Sequence, residues 1–364
     1  MGAHAEGLSS PTTVHVALLP PPKDPAGFIA LLSGAVESAG ARRVTTAGRG
    51  LRWSLTESDA DVVHMHWLEY LATADPAPVT GWIVTWLRVA RLLIVLGILR
   101  VRRIGIVWTI HNLAPHEPAR PRAEATLSQA VYLLADEIIV HSEYARARVR
   151  ARFRGRRRRE ITVIPHANYA GAFPAEPRSR AEVRAALDIP DDAFVYLAFG
   201  IIRSYKRLGV LAEQFSQLEG ENLRLLIAGT PSPPAEADAL RAHAAADPRI
   251  VVCAEYVPDD LVSGLHLAAD AAVIAHADVF SSGALLLALT HGVPVVAPAD
   301  GTARELFSAP AVEFFENDQL VDALTRVRSG DRSAAARTSA EQFPWSEAGV
   351  ATVEVYRRAL RRHR

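Results

Sequence analysis

The chain has a single cysteine, Cys253, among its 364 residues. One thiol excludes an intrachain disulfide and a cysteine-based zinc cluster, and it fits a reducing compartment. There is no surplus of charge: 40 Lys and Arg face 40 Asp and Glu. The molecule as a whole therefore projects no field that would gather nucleic acid, and no nucleic-acid partner is expected. The first residues, "MGAHAEGLSSPTT", lack the basic-then-apolar order of a signal peptide and read as a short disordered tail. An uncharged apolar run of about eighteen residues is also missing. The nearest approach, "GWIVTWLRVARLLIVLGILRVRR" at 81–103, is interrupted by Arg88 and Arg91. It reads as a core helix, or as an apolar helix with cationic ends lying against a bilayer surface, and not as a transmembrane span.

What is present is a globular composition, 49% hydrophobic and 22% charged, in a chain too long for one ordinary core. Short apolar runs alternate with helical patterns. Strands are expected at 14–20, 61–67, 104–112, 136–142 and 161–167, and a second series at 194–200, 223–229, 249–255, 271–277 and 293–299. Two strand–helix series in succession predict an α/β protein of two doubly wound, Rossmann-like domains facing across a cleft. The proline-punctuated stretch between Ala167 and Pro190 is the expected linker. This divides the chain into residues 1–170, 171–345 and a terminal amphipathic helix over 346–364, expected to cross back onto the first domain. Ligands of open α/β sheets bind beyond the carboxyl ends of the strands, so functional residues are sought there.

In the second half, "FGIIRSYKRLG" at 199–209 places Arg203 and Lys206 just after a strand and before a helix. Cations are disfavoured at a helix start, so this pair points to an anion such as a diphosphate. The segment "DVFSSGALLLALTHGVPVVAP" at 278–298 puts Ser281, Ser282 and Gly283 at the start of a buried helix. Small residues there let backbone N–H groups approach an anion, although a serine N-cap alone looks the same. Asp278 stands beside them, and a carboxylate next to an anion suits a ligand that also carries hydroxyls, as a sugar diphosphate does. Gly229, and Tyr256 with Val257, follow two further strands and are candidates to frame a nucleotide base.

In the first half, "VVHMHWLEY" and "VWTIHNLAPHEP" bring His64, His66, Glu69, His111, Asn112, His116 and Glu117 to two strand ends. These types suit acid–base work or hydroxyl binding. Core histidines satisfied by backbone are the plain alternative. No metal is expected, because carboxylate ligands are sparse and no paired histidines share a helix face. The arginine run at 146–159, "RARVRARFRGRRRR", reads as a solvated face or as a contact for anionic lipid.

The second half resembles the GT-B glycosyltransferases, especially the family 4 type and related bacterial exopolysaccharide enzymes. The resemblance is carried by "FGIIRSYKRLGVLAEQF", "LRLLIAG", "RIVVCAEYVPDDL", "FSSGALLLALTHGVPVVAP", "GTAREL" and the terminal "FPW…VYRRAL", in that order over about 194–360. It implies that Arg203 and Lys206 hold the donor diphosphate, that His111 approaches the transferred sugar, and that Glu305 lies near the donor ribose or sugar. The family's paired glutamates are replaced: Asp278 stands for the first, and Leu286 or Leu287 for the second. Gly27, within "LPPPKDPAGF", is the remnant of the family's first glycine-rich loop. The expectation that follows is a metal-independent, cytoplasmic enzyme, peripheral on the inner face of the membrane. It would move a hexose or uronic acid from GDP-mannose or a UDP-sugar to a polyprenyl-linked or other glycan acceptor. An inverting course would need Asp24, Glu69 or Glu117 as base, whereas a retaining one would use the donor phosphate. An epimerase and a non-catalytic nucleotide-sugar-binding protein are the alternatives.

Overall fold

The computed structural model describes residues 13–44, 59–69, 80–113, 120–155, 161–276, 280–316 and 319–363. Its first sheet contains β1 (His15–Leu19), β2 (Arg42–Arg43), β3 (Val62–Met65), β4 (Gly105–Thr109), β5 (Glu137–Val140) and β6 (Ile161–Val163). The strand order is β2-β1-β3-β4-β5-β6, and every pairing is parallel. Helices α1 (Phe28–Ser38), α2 (Thr80–Val101), α3 (Pro121–Leu134) and α4 (Glu143–Arg152) connect them. The strands are apolar on both faces because helices cover both, so they read as continuous hydrophobic runs instead of alternating ones.

The second sheet contains β7 (Phe194–Phe199), β8 (Leu223–Ala228), β9 (Ile250–Cys253), β10 (Ala271–Val273), β11 (Val295–Pro298) and β12 (Val312–Phe315). Its order, β12-β11-β10-β7-β8-β9, is again all parallel. Helix α5 (Arg180–Ala186) precedes β7, with a capping box between Ser179 and Glu182. Then follow α6 (Leu208–Phe215), α7 (Ala235–Ala246), α8 (Asp259–Ala268), α9 (Gly283–Thr290), α10 (Gly301–Leu306), α11 (Leu320–Arg326), α12 (Ser333–Glu341) and α13 (Trp345–Arg361).

Every expected strand is present, each shorter than its apolar run. Some of the residues lost from the carboxyl ends, among them His111, Gly200 and Ile274, line the cleft. Sequence reading missed β2 and β12. The former is two exposed arginines, and the latter is the short "VEFF".

Helix α13 lies across α1, and Gly349 makes this close: a Cβ there would stand 2.5 Å from the Ala35 carbonyl oxygen. Beyond its end, Arg362 pairs with buried Glu137 at 2.8 Å and His363 with Asp136 at 2.9 Å. The end of the chain is thus fastened to the first sheet.

Helix α2 buries Val89, Val95, Leu96 and Leu99 in the first core. Its other face exposes Trp82 (57%) and Leu87 (64%) with Ile83 and Ile94. By length and composition alone it is long and apolar enough to cross a bilayer. Its packing makes it a surface helix with one apolar face uncovered.

Candidate active site

In the second sheet the strand order reverses between β7 and β10, and a cavity of about 390 Å³ opens at their ends. Its floor is Ala198–Gly200 from β7 and Val273–Ala275 from β10. Lys206, Tyr205, His276 and Ser281–Ala284 wall it from the second domain. Phe28, Trp67, His111, Asn112, His166 and Tyr169 wall it from the first.

Lys206 ends a short 3-10 turn, Ser204–Lys206, and its side chain folds under Gly200. Gly200 has φ +106°, and a Cβ there would lie 3.1 Å from the Lys206 Nζ. Gly229, φ +146°, has no room either: its Cβ would meet the Gly200 carbonyl at 2.2 Å. Only glycine lets the ends of β7 and β8 approach so closely. Gly229 therefore shapes the floor from behind and does not line the cavity. Burial, and then the Arg203 charge, lower the Lys206 pKa to about 8. Arg203 stands beside Lys206 and outside the lining, with its Nε buried and unpartnered.

Opposite, α9 begins in the cavity. Ser282 caps it by accepting from the Leu285 N–H at 3.1 Å. A Cβ on Gly283 would come within 2.7 Å of the Tyr169 hydroxyl. A cation and a helix N-terminus thus converge on one space, an arrangement suited to a phosphate or diphosphate.

On the first domain, His111 lies at the end of β4 with Trp67 stacked on it, 4.2 Å between centroids and 15° between planes. Its ring nitrogens are both engaged: Nε2 with His66 Nδ1 at 3.1 Å, and Nδ1 with His141 Nε2 at 3.2 Å. Burial and the neighbouring histidines hold its pKa well below the usual range. His111 is in the cavity, with both ring nitrogens engaged by neighbouring histidines.

His64, expected on the acceptor side, is buried in β3 and bonded to Tyr356 Oη at 2.8 Å and Thr109 Oγ1 at 2.7 Å. It belongs to the core joining α13 to the sheet. His66 is likewise buried and does not line the cavity. With Glu69 and Asn112 it borders a separate space of about 20 Å³, and burial raises the Glu69 pKa.

Asp24 and Gly27 line a second cavity of about 390 Å³ with Pro20–Lys23, Phe28 and Trp67. Phe28 and Trp67 are shared with the first cavity, so the two adjoin. Asp24 accepts from the Ala26 N–H at 3.0 Å, and its charge acts on Tyr169.

Glu305 is not at the cavity. It accepts the Glu143 and Tyr144 N–H groups, at 2.8 and 2.6 Å, at the start of α4. An anion at a helix N-terminus is well placed, so this carboxylate joins the domains. Tyr256 is 71% exposed, and neither it nor Val257 lines the cavity. Asp278, His116 and Glu117 lie outside the described residues.

Two parallel doubly wound domains with an anion-ready cavity between them are the GT-B architecture. Residues 193–328 match the family described as Glycosyl transferases group 1. The chain is 28% identical over 307 residues to the GDP-mannose:glycolipid 4-beta-D-mannosyltransferase of Xanthomonas campestris pv. campestris, covering 82% of this chain and 80% of that one. It is 26% identical over 284 residues to the D-inositol 3-phosphate glycosyltransferase of Xylanimonas cellulosilytica, covering 71% and 67%. Among solved structures, the sucrose-phosphate synthase of Thermosynechococcus elongatus superposes with TM-score 0.69 at 17% identity, covering 94% of this chain and 98% of that one. Anabaena HepE, solved with UDP and glucose, superposes with TM-score 0.69 at 15% identity and the same coverage. The chain is a glycosyltransferase of the GT-B fold.

Proposed function

We propose that the chain transfers a hexose or uronic acid from GDP-mannose or a UDP-sugar to a lipid-linked or other glycan acceptor in polysaccharide or glycoconjugate synthesis. The observation that carries this reading is Lys206, held in the cavity opposite the start of α9 at Ser282 and Gly283. A nucleotide diphosphate placed between them would have its charge met from both sides. As the bond from the anomeric carbon to the diphosphate oxygen breaks, that charge grows, and the same groups stabilise it. The glycolipid mannosyltransferase from Xanthomonas supports the donor and acceptor classes.

The acceptor would enter by the second cavity, where Asp24 is the carboxylate assigned to take its hydroxyl proton in an inverting course. Glu69 faces the smaller space and is less suited. The uncovered face of α2 (Trp82, Ile83, Leu87, Ile94) supports peripheral attachment to an anionic bilayer on its cytoplasmic side, with Arg88 and Arg91 on the same helix.

The test is transfer itself. Radiolabelled GDP-mannose or UDP-sugars, incubated with the protein and a polyprenyl-diphosphate-linked glycan, should yield label in the lipid fraction. Label that stays on the nucleotide with every donor and acceptor pair would contradict the reading.

A further inference from the structure

Four neighbouring strands of the first sheet each end in a histidine: His66 after β3, His111 after β4, His141 after β5 and His166 after β6. Their rings form a row, with centroids 5.3, 5.0 and 5.5 Å apart, close to the spacing of the strands that carry them.

The hydrogen bonds fix where the protons sit. The Ile164 carbonyl can only accept, so His141 Nδ1, 2.9 Å away, carries the hydrogen. Neutral His141 then accepts at Nε2 from His111 Nδ1, and His111 accepts at Nε2 from His66 Nδ1. Three of the four imidazoles thus satisfy one another. The lone pair left over, on His66 Nε2, is buried away from the large cavity.

His166 differs. Its Nδ1 donates to the Ala167 carbonyl at 2.7 Å, so Nε2 carries the lone pair. That nitrogen lies 3.9 Å from the position a Cβ would take on Gly283, at the start of α9, and has no hydrogen-bond partner among the described residues. Phe28 and Trp345 cover the ring, with centroids 4.8 and 6.3 Å away.

A lone pair beside a phosphate oxygen would be repulsive, whereas a hydroxyl suits it. With the diphosphate seated at α9 and Lys206, the next group along the ligand is the sugar. We propose that His166 is a specificity residue of the donor site, whose Nε2 accepts a hydrogen bond from one hydroxyl of the sugar being transferred. The inference rests on the donor reading above and deepens it.

The titratable groups facing His166 are His141 and His111 from the adjacent strand ends and Tyr169 from its own loop. Lys206 and His276 face it from the second domain, and Asp24 lies beyond Tyr169. Burial and then His141 lower its pKa to about 3, so the imidazole stays neutral, as an acceptor must.

The experiment is calorimetric titration of wild type, His166→Phe and His166→Gln with the nucleotide diphosphate alone and with its sugar-bearing form. His166→Phe keeps a ring in place and removes the acceptor. It should weaken the nucleotide sugar by about tenfold, the scale of one hydrogen bond, and leave the bare nucleotide within about twofold. The Gln amide oxygen should restore part of the loss. On wild type, nucleotide sugars lacking one hydroxyl at a time should include one that loses a similar factor, and that loss should vanish in His166→Phe.

Equal weakening of both ligands, or of neither, would overturn the assignment. So would a deoxy series with no weakened member, an arm that holds even if the Phe variant does not fold. Wild type that binds neither GDP nor UDP would instead remove the donor reading beneath it.

Discussion

The Ser281 hydroxyl donates to the main-chain carbonyl of His111 at 2.9 Å, and so ties the two strand-end clusters of opposite domains across the cavity. Other polar ties join the domains as well. Ser142 meets Thr302 at 2.7 Å, and Glu305 takes the first N–H groups of α4. Together they hold the cleft in the geometry that places Lys206 opposite His111 and His166.

Removing the largest of these ties should loosen that geometry without touching the ligand. Glu305→Ala leaves the N-terminus of α4 without its anion, a loss of about 1 kcal/mol spread over cap and domain contact. The expected result is a larger radius of gyration by X-ray scattering and a severalfold rise in KM for the donor, with kcat less affected. Unchanged scattering with normal kinetics would show that the carboxylate does not govern closure.

Lys206 should set an alkaline limit on donor binding. Its folded pKa, about 8, lies below the ordinary lysine value, so the cation proposed to meet the diphosphate is lost as pH rises through that region. Affinity for GDP or UDP should be flat near pH 7 and fall by up to about tenfold per unit above the break. Arg203→Ala removes a like charge and should move the break upward. A break that stays in place would mean Arg203 does not act on Lys206.

The buried histidines should make the fold acid-labile. His64 and His166 are lowered to about 3 and His141 to about 4, chiefly by burial, while the unfolded chain protonates near 6.5. For these groups the native pKa is the depressed one. Their contribution is therefore full above about 6.5 and lost as pH falls from there towards 4 and below. Each costs about 1.4 kcal/mol per pH unit in that window. The unfolding temperature should fall steeply below pH 6.5, with uptake of several protons on unfolding. A midpoint level down to pH 4.5 would contradict this.

Tyr356→Phe separates fold from function. It strips a hydrogen bond from buried His64 and should cost about 1–3 kcal/mol of stability with donor affinity unchanged. An equal loss of affinity would return His64 to the site.

Helix α2 carries the membrane reading. Trp82→Ser with Leu87→Glu should abolish flotation with anionic vesicles while leaving turnover on a soluble acceptor intact. Equal binding of wild type to neutral and anionic vesicles would remove the electrostatic part.

Much of this site was legible because parallel sheets put function at strand ends. Lys206, Ser281–Gly283, His111 and Asn112 follow from that rule and line the cavity. His166 obeys it equally, yet it was absorbed into the apolar run "ITVIPHA" and read as strand. β6 stops at Val163, and the residues beyond it turn into the cleft. Phe28, Trp67, Tyr169 and His276 were missed because their convergence depends on strand order and domain docking, which no local pattern records. Glu305 and His64 hold structural contacts at such positions. Polar residues near strand ends are also used to join helices and domains, and sequence does not separate the two uses.

The most direct test of the account is thermal stabilisation by GDP and by UDP of wild type and of Lys206→Ala. At about a hundred times its dissociation constant a nucleotide adds about 2.7 kcal/mol, enough to raise the midpoint by a few degrees. The account predicts a rise with one nucleotide in wild type and its loss in Lys206→Ala. A rise of equal size in both proteins, or none in wild type, would contradict it.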